Sequence, residues 1–202
     1  MKFLRGCAAL FLSAMALAQT FPLPMQLGRR IPEFQLAAVP DGSIRNLESY
    51  SNYRFLVFLF LSTHCQMSTA RNPVFNNLNN ELGSQGALLL GVYSGRKETL
   101  AGIHRYVLNE KLTFPCFRDT NNRFADQLGA HVTPEVFVFD QSRRLRYHGS
   151  VDPLDDPKGS RDRNLRQALE ALLNNLTVSK PETKPFGCVI DRQTSDRLKT
   201  AH

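Results

Sequence analysis

The sequence predicts an α/β fold, a central mixed sheet flanked by helices, and three observations carry that reading. Residues Phe55 to Leu61 are apolar at seven consecutive positions, the pattern of a central strand covered on both faces. Strand and helix signals then alternate, the order of a parallel sheet with crossover connections. Late in the chain, Val136-Phe137-Val138-Phe139 and Leu145-Arg146-Tyr147 flank a turn at Gln141-Ser142-Arg143, which predicts an antiparallel hairpin at the far side of the sheet.

The chain has 202 residues and opens with Lys2 and Arg5 ahead of twelve uncharged residues, Cys7 to Ala18. That run is shorter than the roughly 20 apolar residues of a transmembrane helix, and it ends in Ala16-Leu17-Ala18, a small-x-small cleavage pattern. Residues 1–18 therefore predict a cleaved export signal and an exported protein, periplasmic or secreted, that meets a membrane only during export. Removing 18 of the 202 residues leaves 184, and losing Lys2 and Arg5 takes the formal net charge from +7 to +5. The arginine clusters are interrupted by acidic residues, unlike the dense basic stripe of a nucleic-acid binder, so no nucleic-acid partner is expected.

Residues 19–31 carry Pro22, Pro24 and Arg29-Arg30 and predict an extended lead-in. A domain over 32–178 follows. Phe34 to Leu36, a turn at Pro40-Asp41-Gly42 and Ile44 to Leu47 predict an N-terminal β-hairpin. After the Phe55–Leu61 strand, Val74, Phe75, Leu78 and Leu82 mark one face of a helix ending at Gly83, with Pro73 expected to kink it. Ala87 to Tyr93 is a second buried strand, and 96–109 a helix with Leu100, Ile103 and Val107 on one side. Phe114 to Phe117 is a short segment, and a helix from about Asn122 to Leu128 is closed by Gly129. Asp152 to Arg163 reads as a polar loop, and Leu165, Leu169, Leu172, Leu173 and Leu176 predict a final amphipathic helix. Residues 179–202 form an extended C-terminal tail carrying Cys188.

Cysteine usage points to chemistry. Four cysteines are present, and loss of Cys7 with the signal leaves Cys65, Cys116 and Cys188, an odd number for an oxidising compartment. Cys65 lies where the Phe55–Leu61 strand gives way to a helix, the edge of an open α/β sheet where reactive groups collect. A thiol in a first helical turn faces unpaired N–H groups and the positive end of the helix dipole, which favour thiolate. Ser68, three residues on, cannot close a disulfide, but its hydroxyl can hydrogen-bond a thiolate. His64 either lowers the thiol's pKa or points to solvent. Thr133-Pro134 stands just before the third strong strand, where a proline is often in a tight turn, sometimes with a cis bond.

These residues together resemble a thioredoxin-fold redoxin of the AhpC/TSA and TlpA-like group, most closely an exported thioredoxin-like subfamily. The resemblance runs from Pro32-Glu33-Phe34-x-Leu36 and Asp41-Gly42, through the strand entering Ser62-Thr63-His64-Cys65 and Phe114-Pro115 before Arg118-Asp119. It continues through Thr133-Pro134-Glu135 and the Leu145-Arg146-Tyr147 hairpin to Glu182-Thr183-Lys184-Pro185-Phe186-Gly187-Cys188. It implies a thioredoxin-like fold, a reactive Cys65 and a cis-proline loop at Thr133-Pro134 that holds an extended substrate backbone. Thioredoxins carry Trp before the first cysteine and a second cysteine three residues later, where this chain has His64 and Ser68, so dithiol chemistry within one motif is excluded. Peroxiredoxins carry Pro-x-x-x-Thr-x-x-Cys, where this chain has Phe58 and Ser62.

The expected activity is therefore that of a thiol–disulfide oxidoreductase or thiol peroxidase without cofactor or metal. Cys65 attacks a protein disulfide or a peroxide, and Cys188, Cys116 or an external thiol reductant resolves the product. Cys188, on an irregular tail, is the stronger resolving candidate, or pins the tail by a disulfide; Cys116 reads as a core thiol. Sequence separation neither forbids nor requires a Cys65–Cys188 bond. The competing reading is a copper-binding, metallochaperone-like protein using His64, Cys65 and Met67 as ligands.

Overall fold

The structure is a computed structural model describing residues 23–151 and 163–192. The expected signal segment, all of the Asp152–Arg163 loop except its last residue, and residues 193–202 lie outside the described residues.

The main sheet is built from β1 (Leu36–Ala38), β2 (Ile44–Arg45), β3 (Phe55–Leu61), β4 (Ala87–Tyr93), β5 (Cys116–Arg118), β7 (Glu135–Phe139) and β8 (Leu145–Gly149). Their order is β2-β1-β5-β4-β3-β7-β8. The middle is parallel, β3 to β4 and β4 to β5, while β7 runs antiparallel to β3 and β8 to β7. The N-terminal hairpin is present and β1 pairs antiparallel with β5, so it extends the sheet rather than standing apart.

All of β3 is buried because its two side-chain rows enter two separate cores. Phe55, Val57, Leu59 and Leu61 pack with Phe75, Leu78 and Leu82 of α2 (Asn72–Leu82), Ile103 of α3 (Leu100–Asn109) and Leu165, Leu169 and Leu172 of α5 (Asn164–Leu173). Leu56, Phe58 and Phe60 pack with Phe124, Ala125 and Leu128 of α4 (Arg123–Leu128). Each such side chain is worth about 1.5–3 kcal/mol when fully buried. The two-residue period of a strand thus accounts for helices on both faces.

Two helix expectations are corrected. Pro73 does not kink a continuous helix: α1 (Gln66–Thr69) ends after one turn, and Pro73 lies in the first turn of α2, where a missing N–H leaves nothing unpaired. The helix expected from residue 96 begins at Leu100, because the Thr99 hydroxyl accepts from Gly102 N at 3.0 Å and caps it. Residues 96–98 are therefore loop, which brings Glu98 to the end of β3.

The tail folds back on the domain. His148 N donates to Pro181 O and Thr183 N to His148 O, at 2.9 and 3.0 Å, along the outer edge of β8. Gly149, with φ +142°, allows this approach, since a Cβ there would overlap the Thr183 carbonyl. Beyond it, β9 (Cys188–Val189) pairs antiparallel with β6 (Val132–Thr133), and Ile190 is buried in the α4-side core. No helix among the described residues is long and apolar enough to cross a membrane.

Candidate active site

Cys65 closes the loop leaving β3 and stands at the N-cap of α1, with φ −108° and ψ 111°, one residue ahead of the expected first turn. It is 1% exposed, and its sulfur is bonded to that of Cys188 with the Cα atoms 6.0 Å apart. The same sulfur lies 3.2 Å from the Thr133 carbonyl oxygen, which would accept from the S–H once the bond is reduced. The Thr133-Pro134 bond is cis, and the Thr133 hydroxyl donates to the Cys188 carbonyl at 3.4 Å.

Glu98 holds the cysteine loop from the other side. Its buried carboxylate accepts from Ser62 Oγ at 2.9 Å, Thr63 N at 2.9 Å and Thr63 Oγ1 at 2.8 Å. Ser62 Oγ in turn accepts from His64 N at 3.1 Å. One carboxylate therefore satisfies the Ser62 and Thr63 side-chain donors and Thr63 N, as a buried polar cluster requires. Arg118 on β5 anchors Glu98 by donating Nε to its backbone carbonyl at 2.9 Å, and donates also to the Tyr93 and Asp119 carbonyls. Burial lowers Arg118 from its ordinary value, opposed by the charges of Asp119 and Glu98. Burial likewise raises Asp119, although its carboxylate accepts from Ser94 Oγ, Phe124 N and Ala125 N.

A second buried acid shapes the proline loop. Glu135 accepts from His131 N at 2.7 Å and Val132 N at 3.1 Å through one oxygen, and meets His148 Nε2 at 2.6 Å through the other. The His148 ring stacks on Phe137 with centroids 4.3 Å apart. The pair links β6, which faces Cys188, to the part of β8 that carries the tail.

The structure thus brings together Cys65, Cys188 and Thr133, with the cis Pro134 next in the chain, and the first three line a cleft of about 160 Å³ that Glu98 and His64 also line. Ser68 is fully buried one turn beyond Cys65, and its hydroxyl has no hydrogen-bond partner among the described residues, the Cys65 sulfur included. The His64 side chain is exposed beside the cleft. Cys116 is not brought to the site. It sits in the α2-side core, where burial pushes its thiol up to about 12, and with Cys65 bonded to Cys188 it is not the partner. Glu98, Arg118, Glu135, His148 and Gly187 went unassigned in the sequence. Glu98 was inside the expected helix, and only the Thr99 capping signal could have moved it out. Among the described residues no three or more His, Cys, Asp or Glu side chains gather as a metal site.

A cysteine at a strand-to-helix junction, disulfide-bonded beside a cis-proline loop on a sheet of this order, defines a thioredoxin-fold redoxin, a cysteine-based oxidoreductase. The comparisons agree, and the chain belongs to the AhpC/TSA family, whose model matches residues 27–148. Among solved structures it is similar to a hypothetical protein from Sinorhizobium meliloti, at 25% identity over 85% of this chain and 97% of that one, with a TM-score of 0.76. It is also similar to peroxidoxin BcpB from Mycobacterium tuberculosis, at 19% identity over 75% of this chain and 97% of that one, TM-score 0.58. A thiol:disulfide interchange protein from Bacteroides sp. matches at 13% identity over 74% of this chain and 91% of that one, TM-score 0.58. The last two likenesses show the fold. No curated protein matches the chain.

Proposed function

We propose that this chain is an exported thiol–disulfide oxidoreductase in which Cys65 is the nucleophile and Cys188 its resolving partner. The observation that carries this reading is the Cys65–Cys188 bond beneath the cis Thr133-Pro134 loop. In the dithiol form the Cys65 thiolate attacks a substrate disulfide, forming a mixed disulfide and releasing one substrate thiolate. Cys188 thiolate then attacks the Cys65 sulfur, closing the bond seen here and expelling the second substrate thiolate. One substrate disulfide is reduced, the protein dithiol is oxidised, and an external thiol reductant restores it. Ser68, whose hydroxyl has no partner among the described residues, would be free to donate to the Cys65 thiolate on reduction.

Peroxide as substrate would reach the same bond through a sulfenic acid. Two features favour disulfide exchange: the Ser62 hydroxyl already donates to Glu98, and Phe58 replaces the peroxiredoxin proline. The disulfide and the signal pattern of residues 1–18 support export to an oxidising compartment, periplasmic or extracellular. No observation favours copper binding, since the Cys65 sulfur is engaged by Cys188. The test is turnover with an external thiol on a disulfide-bonded protein and on hydrogen peroxide. Disulfide reduction lost in Cys65→Ser, and faster than peroxide consumption, supports the reading; activity that survives Cys65→Ser contradicts it.

A further inference from the structure

The tail reaches Cys65 in an unusual way for a mere clamp: it lies as an extended strand on the edge of β6, in the place where a substrate backbone would pair. Thr133 stands opposite Cys188 and Val132 opposite Val189, and Ile190 N donates to His131 O at 2.9 Å. Each residue of this segment but Val189 meets a different demand. Gly187 crosses the cis-proline loop so closely that a Cβ would overlap the Thr133 carbonyl oxygen and crowd Pro134 N. Cys188 meets Cys65. Val189 is 68% exposed and meets no requirement, whereas Ile190 is 4% exposed and enters the α4-side core. Asp191 lies against Arg96, by an ion pair of 3.5 Å and a backbone bond from Arg96 N to Asp191 O of 2.7 Å.

Once the sulfur bond opens, the segment is held by the two-residue ladder, the Ile190 and Arg96 backbone bonds, the Thr133 hydroxyl on the Cys188 carbonyl, the buried Ile190 side chain and one surface ion pair. All are non-covalent contacts that a competing strand of the same pattern can replace, so it can be displaced. We propose that Gly187–Asp191 is a built-in copy of the substrate, and that the site accepts an extended cysteine-containing polypeptide with glycine just before the cysteine, an aliphatic residue two positions after it and an acidic residue at the third. This rests on the proposed disulfide exchange at Cys65 and names the partner of that reaction. A substrate strand takes the tail's place on β6, its cysteine sulfur forms the mixed disulfide with Cys65, and its departing partner leaves as thiolate. The returning tail then supplies Cys188, and the same edge pairing serves both steps.

The test uses the full chain carrying Cys7→Ser and Cys188→Ser, so that the mixed disulfide at Cys65 is the end point. Hexapeptides of sequence Phe-Gly-Cys-Val-Ile-Asp, each activated as a mixed disulfide with thionitrobenzoate, are compared by the rate of coloured thiolate release and by mass of the Cys65 adduct. The unbonded tail competes equally with every peptide and drops out of the ratios. Alanine for the peptide glycine is expected to slow the reaction about tenfold or more, as an overpacked contact does. Serine for the isoleucine should slow it about tenfold. Lysine for the aspartate should slow it about two- to fivefold, as an exposed ion pair allows, and Arg96→Glu should invert that preference. Equal rates across the peptides, with Cys65 still reacting with the symmetrical thionitrobenzoate disulfide, would overturn the substrate-copy proposal while leaving Cys65 exchange standing. Failure of Cys65 to react even with that small disulfide would overturn both.

Discussion

Thr133 and Cys188 stand opposite one another in a two-residue antiparallel ladder, so the residue before the cis proline is paired by backbone with the cysteine bonded to Cys65. Cys188 and the cis-proline loop are thus one structural unit, and what shifts the tail shifts the loop beside Cys65.

The closest point of that unit is Gly187. In Gly187→Ala the added methyl meets the Thr133 carbonyl, and either the tail or the proline loop must shift. We expect the oxidised protein to lose about 1–3 kcal/mol of stability, as overpacking does, measured by urea unfolding. The same change in the reduced protein, where the tail can lift away, should have a smaller effect.

The Cys65–Cys188 bond closes a loop with a sequence separation of 123. Its removal by Cys188→Ala should lower the unfolding free energy by about 2–4 kcal/mol, mainly by freeing the unfolded chain. Wild-type protein unfolded with and without a reductant should reproduce that difference.

Glu98 accepts three hydrogen bonds from Ser62 and Thr63, all beside Cys65. Glu98→Ala leaves those donors without a protein acceptor and should cost about 2–3 kcal/mol. It should also slow exchange at Cys65 more than the loss of folded protein explains, which a rate normalised to the folded fraction will read. Glu98→Gln retains one acceptor oxygen and should recover part of both.

Cys116 provides a test by pH. Burial pushes its thiol up to about 12 from 9.0, so above pH 9 the unfolded chain releases a proton that the folded chain keeps. Its contribution to stability is therefore fully present below pH 9 and is lost as pH rises through the window from 9.0 to about 12. Burial also raises Tyr50, Tyr93 and Tyr106, whose ordinary value is 10.0, and they add the same sign, so the Cys116 share of the fall in urea midpoint is the difference between wild type and Cys116→Ala. Cys116→Ala should flatten that fall. In the reduced native protein at pH 8, thiol titration of residues 19–202 should count two reactive cysteines, and three only after unfolding.

Much of this arrangement was legible in the sequence because it rests on local patterns. The unbroken apolar run of β3, the cysteine at its exit and the Thr133-Pro134 step before β7 each announce themselves within a few residues. What escaped depends on residues far apart in the chain. Gly187 is an ordinary tail glycine until β6 lies beside it, and Glu135 reads as a strand residue until His148 is stacked behind it on Phe137. Pro73 and Thr99 show a nearer limit: each carries a helix-start signal, and the apolar spacing of its helix begins just after it, at Val74 and Leu100.

We infer that Cys65 and Cys188 form the exchanging pair. The direct check is to equilibrate the full chain carrying Cys7→Ser, and the same chain with Cys188→Ala added, in mixtures of reduced and oxidised glutathione, quench with acid, block free thiols and map every cysteine by mass spectrometry. We expect the chain that keeps Cys188 to pass between the dithiol and the Cys65–Cys188 disulfide in one two-electron step, and the Cys188→Ala chain to accumulate glutathione on Cys65 alone. A Cys65–Cys188 bond that stays closed at every ratio, or glutathione on Cys116 in place of Cys65, would contradict it.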